Sequence, residues 1–184
     1  MNSYEIAVDL PDRPVGEILD GECPAPACPG DLPAPTEPSP GIELIASCDE
    51  ERGVLADWWI LPEPAIHFVR DTEVVVPDLA GWRKERMPEV PEDHRFDVVP
   101  DWVCEILSRD TAQQDRAVRL PLYARFGVRH AWLIDPDIRL LETFTLKEGF
   151  WVLSGTYIDA QPISVDPFAA VTFSLSEILV RGQR

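Results

Sequence analysis

The chain has 184 residues, enough for one domain with a substantial core, and its formal net charge is −17. An apolar content of 45% with six Trp is that of a folded protein, and the excess of acid argues against a general nucleic-acid binder. No apolar run reaches the ~18 residues of a membrane-spanning helix. The opening MNSYEIAVDLPDRP lacks the basic and apolar regions of a secretory signal, so a cytoplasmic location is the default expectation.

Charge divides unevenly along the chain. Residues 1–51 hold 12 of the 33 acids and a single base, Arg13, for a net −11, which leaves −6 on the rest. Nine of the 16 bases fall between Arg83 and Arg129. Residues 1–22 read as an N-terminal strand region, with Val15 to Leu19 followed by the turn Asp20-Gly21. Residues 23–41 contain seven prolines, which block helix and central strand and mark a linker or extended loop. A main domain over 42–184 follows. The four Cys (23, 28, 48, 104) lack metal-site spacing, and Cys104 falls in an apolar run where a buried, reduced thiol is expected.

Ile42 to Ala46 is a short apolar run, either a helix end or a small strand. Asp57–Leu61 and Ala65–Val69 read as strands separated by Pro62-Glu63-Pro64. Glu73–Leu79 reads as one β-branched strand ending at Pro77-Asp78, and the polar stretch Arg83–Val98 as an exposed loop. Trp102–Leu107, Asp110–Phe126 and His130–Ile134 then form a strand, a helix and a second strand. That is the pattern of a crossover joining parallel strands. Thr111 and Gln114 have capping-box spacing, Gly127 suits the left-handed helix end, and Pro121 is expected to kink the helix. Leu140–Leu146 and Phe150–Ile158 flank Lys147-Glu148-Gly149 as a C-terminal β-hairpin. Ser174 and Glu177 have capping-box spacing at the start of a short last helix.

Two carboxylates stand out. Glu105 interrupts an apolar run, and a buried carboxylate is costly unless paired, hydrogen-bonded or metal-bound. Asp78 closes a strand. If the two strands are neighbours, both side chains can converge on one divalent cation, and Mg²⁺ is commonly held by one or two carboxylates plus waters and substrate phosphates. Asp115, Arg119 and Tyr123 follow at intervals of four and share a helix face. Arg119 is the nearest cation for a phosphate, or else pairs with Asp115 on a solvated face. Tyr123 reads mainly as core, with substrate contact and support of the site as its alternative, Trp58 and Trp59 as core before a base-stacking platform, and Asp101 and Asp135 as turn or cap residues. His67, His94 and His130 show no zinc spacing.

VVVPDLAGWRKERMP, PDWVCEILS and DRAVRLPLYARFGVRHAWLIDP, in this order, resemble the Uma-type restriction-endonuclease family of the PD-(D/E)xK nuclease superfamily. The resemblance runs from about Trp58 to the C-terminus, and GEILDGE (16–22) resembles the family's N-terminal strand. It implies an α/β (α+β) fold with a central mixed sheet flanked by helices. It also implies a Mg²⁺-dependent endodeoxyribonuclease, with Mn²⁺ as a substitute, acting on DNA and admitting a homodimer. Asp78 takes the first acidic position and Glu105 the second, both as metal ligands. Arg119 stands where the family carries a lysine of the following helix, and Glu17 matches an N-terminal acidic position of supporting role. Leu107 occupies the superfamily's own lysine position. Where members place a helix, this chain has the proline-rich 23–41. Arginine keeps the charge but cannot readily give up a proton. These departures leave as alternatives a weakened or inactive homologue serving as a binding or assembly module, and a metal-dependent hydrolase of another phosphate ester.

Overall fold

The computed structural model describes residues 17, 19, 56–70, 72–92 and 95–179. The proline-rich segment, the run Ile42 to Ala46, Cys23, Cys28, Cys48, His94 and most of the N-terminal strand lie outside the described residues. So does the side chain of Glu177, with its capping box.

Six strands form a mixed sheet in the order β1 (Trp58–Pro62), β4 (Leu79–Arg83), β6 (Trp102–Ile106), β7 (His130–Asp135), β8 (Leu140–Lys147), β9 (Phe150–Ile158). Only β6 and β7 run parallel; the other pairings are antiparallel. A smaller sheet holds β2 (Ala65–Val69) between β3 (Glu73–Val75) and β5 (Arg95–Phe96). Between β6 and β7 lies α1, built of three abutting pieces: Ala112–Gln114, a π turn over Asp115–Arg119, and Leu120–Arg125. A short α2 (Leu175–Leu179) follows the hairpin.

Alternation along the strands sorts the core into two faces. Trp102 and Cys104 of β6 join Trp58, Leu79, Trp132 and Leu141 in one cluster, closed by Ile163, Phe168 and Phe173 from the C-terminal segment. Val103 points the other way, into a second cluster with Ala80, Trp82, Ala131 and Leu133 that α1 covers with Leu120, Leu122 and Tyr123. Glu105 shares the parity of Val103, and Asp78 that of Ala80. Both carboxylates are therefore aimed at the helix.

Three indoles fasten irregular chain to this frame. Trp59 Nε1 donates to the Met87 carbonyl at 3.0 Å, Trp82 Nε1 to Val98 at 2.7 Å and Trp132 Nε1 to Asp166 at 3.1 Å. Trp58 belongs to the core, as expected.

Three expectations need correction. Glu73–Leu79 is not one strand: β3 belongs to the small sheet and β4 to the large one, and the chain changes sheets across Val76-Pro77-Asp78. Pro77 has no N–H for a ladder, so the switch falls there, and Asp78 precedes a strand instead of ending one. Ala80 and Gly81 weaken the strand signal of Leu79–Arg83, but the glycine fits a tight spot. A Cβ there would meet the Trp102 ring at 3.1 Å and the Trp58 ring at 3.3 Å. Arg83–Val98 is accordingly not all loop, since Arg83 ends β4 and Arg95–Phe96 is β5. The capping box also fails: Thr111 makes no side-chain cap bond, and Ser108 and Thr111 instead bond each other's backbone N–H at 3.1 Å.

The hairpin matches expectation, with Glu148 (φ 51°) and Gly149 (φ 83°) making the two-residue turn. Pro121 falls where the π turn gives way to the last helical piece, and the turn closes with Leu120 N–H on the Asp115 carbonyl just before it.

Candidate functional site

The pairing of β4 with β6 sets Leu79 opposite Cys104, so the next pair outward is Asp78 and Glu105. The Asp78 N–H lies 3.4 Å from Glu105 Oε2, and Asp78 Oδ2 accepts the Ile106 N–H at 2.6 Å. Each residue thus fixes its neighbour's chain across the seam. Glu105 is 1% exposed. Its Oε1 accepts the Tyr123 hydroxyl, and its Oε2 accepts Arg119 Nη1 at 2.9 Å.

Arg119 collects three acids. Besides Glu105, Nη1 lies 3.1 Å from Asp115 Oδ1, and Nη2 lies 2.5 Å from Glu17 Oε1. Glu17 also accepts the Val76 N–H at 3.2 Å and the Gln114 side chain at 3.5 Å. Gln114, read from sequence as a cap, turns instead toward this cluster. The pair of Asp115 and Arg119 is not on a solvated face, because Asp115 is buried. Asp115, read from the sequence as sharing the Arg119 face at an interval of four and as its candidate partner, proves to belong to the buried cluster itself. The π turn spans both ends of that interval, a local widening often found at functional positions.

Three carboxylates thus pair with one guanidinium, and burial of the site shows in the proton affinities of Asp78, Glu105 and Asp115. Burial pushes Glu105 up to about 8; the Asp78 charge adds to this, while Arg119 and Tyr123 hold it down. Burial likewise raises Asp78 and Asp115, against the Ile106 N–H and Arg119 respectively. Tyr123 is raised well above the ordinary phenol range by burial and by Glu105. For Arg119, burial is outweighed by Glu105 and Glu17, so it stays protonated.

The other expected residues lie elsewhere. Asp101 is buried at the far end of β4, accepting the Arg83 N–H at 3.0 Å and Arg86 Nη1 at 2.7 Å. Asp135 caps a turn through the Asp137 and Ile138 N–H groups, as expected. The basic stretch is largely consumed by ion pairs: Arg116 with Glu142, Arg125 with Glu73, Arg109 with Asp137.

A family model described as "Putative restriction endonuclease", Uma2, matches residues 49–176, well over half of the chain. The chain belongs to the Uma2 family. A crystal structure of a "putative nuclease" from Anabaena variabilis superposes with a TM-score of 0.70 at 19% identity, covering 98% of each chain, and so shares the nuclease-like fold. No curated protein matches the sequence.

For this Uma2 protein a divalent cation can be tested against the donors present. Asp78 and Glu105 are hard oxygen donors of the kind Mg²⁺ takes. Burial raises the proton affinity of both, and Arg119 offsets only part of that rise. Among the described residues no group of three or more His, Cys, Asp or Glu surrounds one ion position. Asp78 and Glu105 would be the residues to hold such an ion, with water and phosphate oxygens completing its shell. Such an ion would compete with Arg119 for Glu105 Oε2.

Proposed function

We propose that this chain is a Mg²⁺-dependent nuclease of the PD-(D/E)xK kind, hydrolysing DNA phosphodiester bonds. The observation that carries the reading is the convergence of half-buried Asp78 and buried Glu105 on the β4–β6 seam, with Arg119 beside Glu105. Asp78 and Glu105 would hold the metal. When bound, such an ion polarises the phosphodiester, lowers the pKa of an attacking water and steadies the leaving oxygen.

The protein's own groups have separable tasks. Tyr123 orients Glu105 by donating to Oε1, and the Ile106 N–H orients Asp78. Arg119 offers fixed positive charge to a phosphate, which would displace Glu17 from Nη2. It cannot serve as base, because its proton is held all the more firmly by the acids around it.

The same arginine favours a second reading. Its bond to Glu105 neutralises a metal ligand, which suits a nuclease fold retained as a binding or assembly module without turnover. Plasmid cleavage with and without Mg²⁺ separates the two, using wild type, Asp78→Asn, Glu105→Gln and Arg119→Lys. The nuclease reading expects metal-dependent cleavage lost in both carboxylate variants. Cleavage indifferent to both changes would refute the site. An inactive wild type that gains activity in Arg119→Lys would establish the second reading.

A further inference from the structure

The six-stranded sheet ends at β9, the longest strand of the described chain at nine residues. Its inner edge is bonded to β8 along its length, whereas no described strand pairs with its outer edge. Edge strands of monomers are usually guarded by charge, proline or shortness. Phe150-Trp151-Val152-Leu153-Ser154-Gly155-Thr156-Tyr157-Ile158 has neither charge nor proline and is not short. One guard exists: Ser154 is left out of the register with β8, a bulge that interrupts the strand midway. Ahead of that bulge lie four apolar residues, with Phe150 76% and Leu153 52% exposed.

We propose that Phe150–Leu153 is a self-association seam, pairing antiparallel with the same run of a second copy so that the two sheets become continuous. Three features select a second copy as the occupant. Two identical edges related by a two-fold axis offer each other matching rows of N–H and C=O groups. The run is neutral in a chain of net charge −17, so two copies meet there without opposing acids. Alternation places Phe150 and Val152 on one face, so a two-fold axis through Trp151 sets Phe150 across from Val152 of the other copy. Aromatic and β-branched residues pair well in that arrangement. The seam is small, and repulsion between acidic bodies opposes it, so association is weak and strengthens with salt.

Sedimentation velocity on the full chain, over a wide concentration range at low and high salt, tests this. A reversible dimer favoured by salt is expected. Val152→Lys and Leu153→Lys should abolish it with far-UV circular dichroism and Tm unchanged. Ile138→Lys, the same charge change on an exposed turn at the opposite end of β9, should leave it intact. Lysine lowers the net negative charge, so a loss confined to the β9 variants reflects the seam and not general repulsion. A monomer under every condition, or a dimer that survives both β9 substitutions, would overturn the proposal.

Discussion

Glu105→Gln tests the electrostatics of the site without requiring turnover. In the folded chain Glu105 holds its proton up to about pH 8, against 4.5 for an ordinary glutamate. Between those values the folded state binds a proton that the unfolded chain releases, so stability falls as pH rises through this window and levels off above it. The gap corresponds to a ceiling of roughly 5 kcal/mol. Glutamine removes the titration yet keeps the bonds: its oxygen accepts from Arg119 and the Asp78 N–H, and its amide donates to the Tyr123 hydroxyl. Urea unfolding with a chelator present, at about pH 5, 7 and 9, reads the difference. Wild type should lose several kcal/mol across the range, and the variant should lose less and overtake it at alkaline pH. Some slope persists in both, because Asp78 and Asp115 are shifted in the same direction. Parallel curves for the two proteins would refute the burial-driven rise in Glu105's proton affinity.

Other outcomes follow from the same geometry. At alkaline pH, Mg²⁺ should raise the Tm of wild type and leave Asp78→Asn unmoved, as a thermal-shift titration can show. Arg119→Met should cost about 3–5 kcal/mol near neutral pH, measured by urea unfolding, since it strands Glu17 and Asp115 and removes a donor from Glu105 Oε2. Tyr123→Phe should cost about 1–2 kcal/mol by the same measurement, because Glu105 Oε1 loses its donor. Gly81→Ala should destabilise by about 1–3 kcal/mol in thermal unfolding, its methyl pressing on the Trp58 and Trp102 rings.

Much of the site was legible because Glu105 violates the pattern around it. A charge inside Trp-Val-Cys-Glu-Ile must be explained by a partner, and the parity of the strand already aims it at the following helix. The crossover and the hairpin were equally plain, carried by long apolar runs and by Glu148-Gly149. Hidden features were those decided by tertiary contact. Leu79–Arg83 gives a weak strand signal through Ala80 and Gly81, the glycine sitting close to two tryptophan rings. The sheet switch at Pro77 cannot be told from a strand end within one short window. Asp115 has the spacing of a surface ion pair, and only packing against Glu17 and Glu105 makes it part of a buried cluster.

The indole bonds of Trp59, Trp82 and Trp132 carry a spectroscopic consequence. Each joins a chromophore to a carbonyl in chain that has little regular structure, at Met87, Val98 and Asp166. Local loosening of any of these loops would change one indole's polarity and hydrogen bonding before the strands themselves separate. Single-tryptophan versions of the protein would then resolve the order in which its surface lets go, loop by loop, from emission wavelength alone.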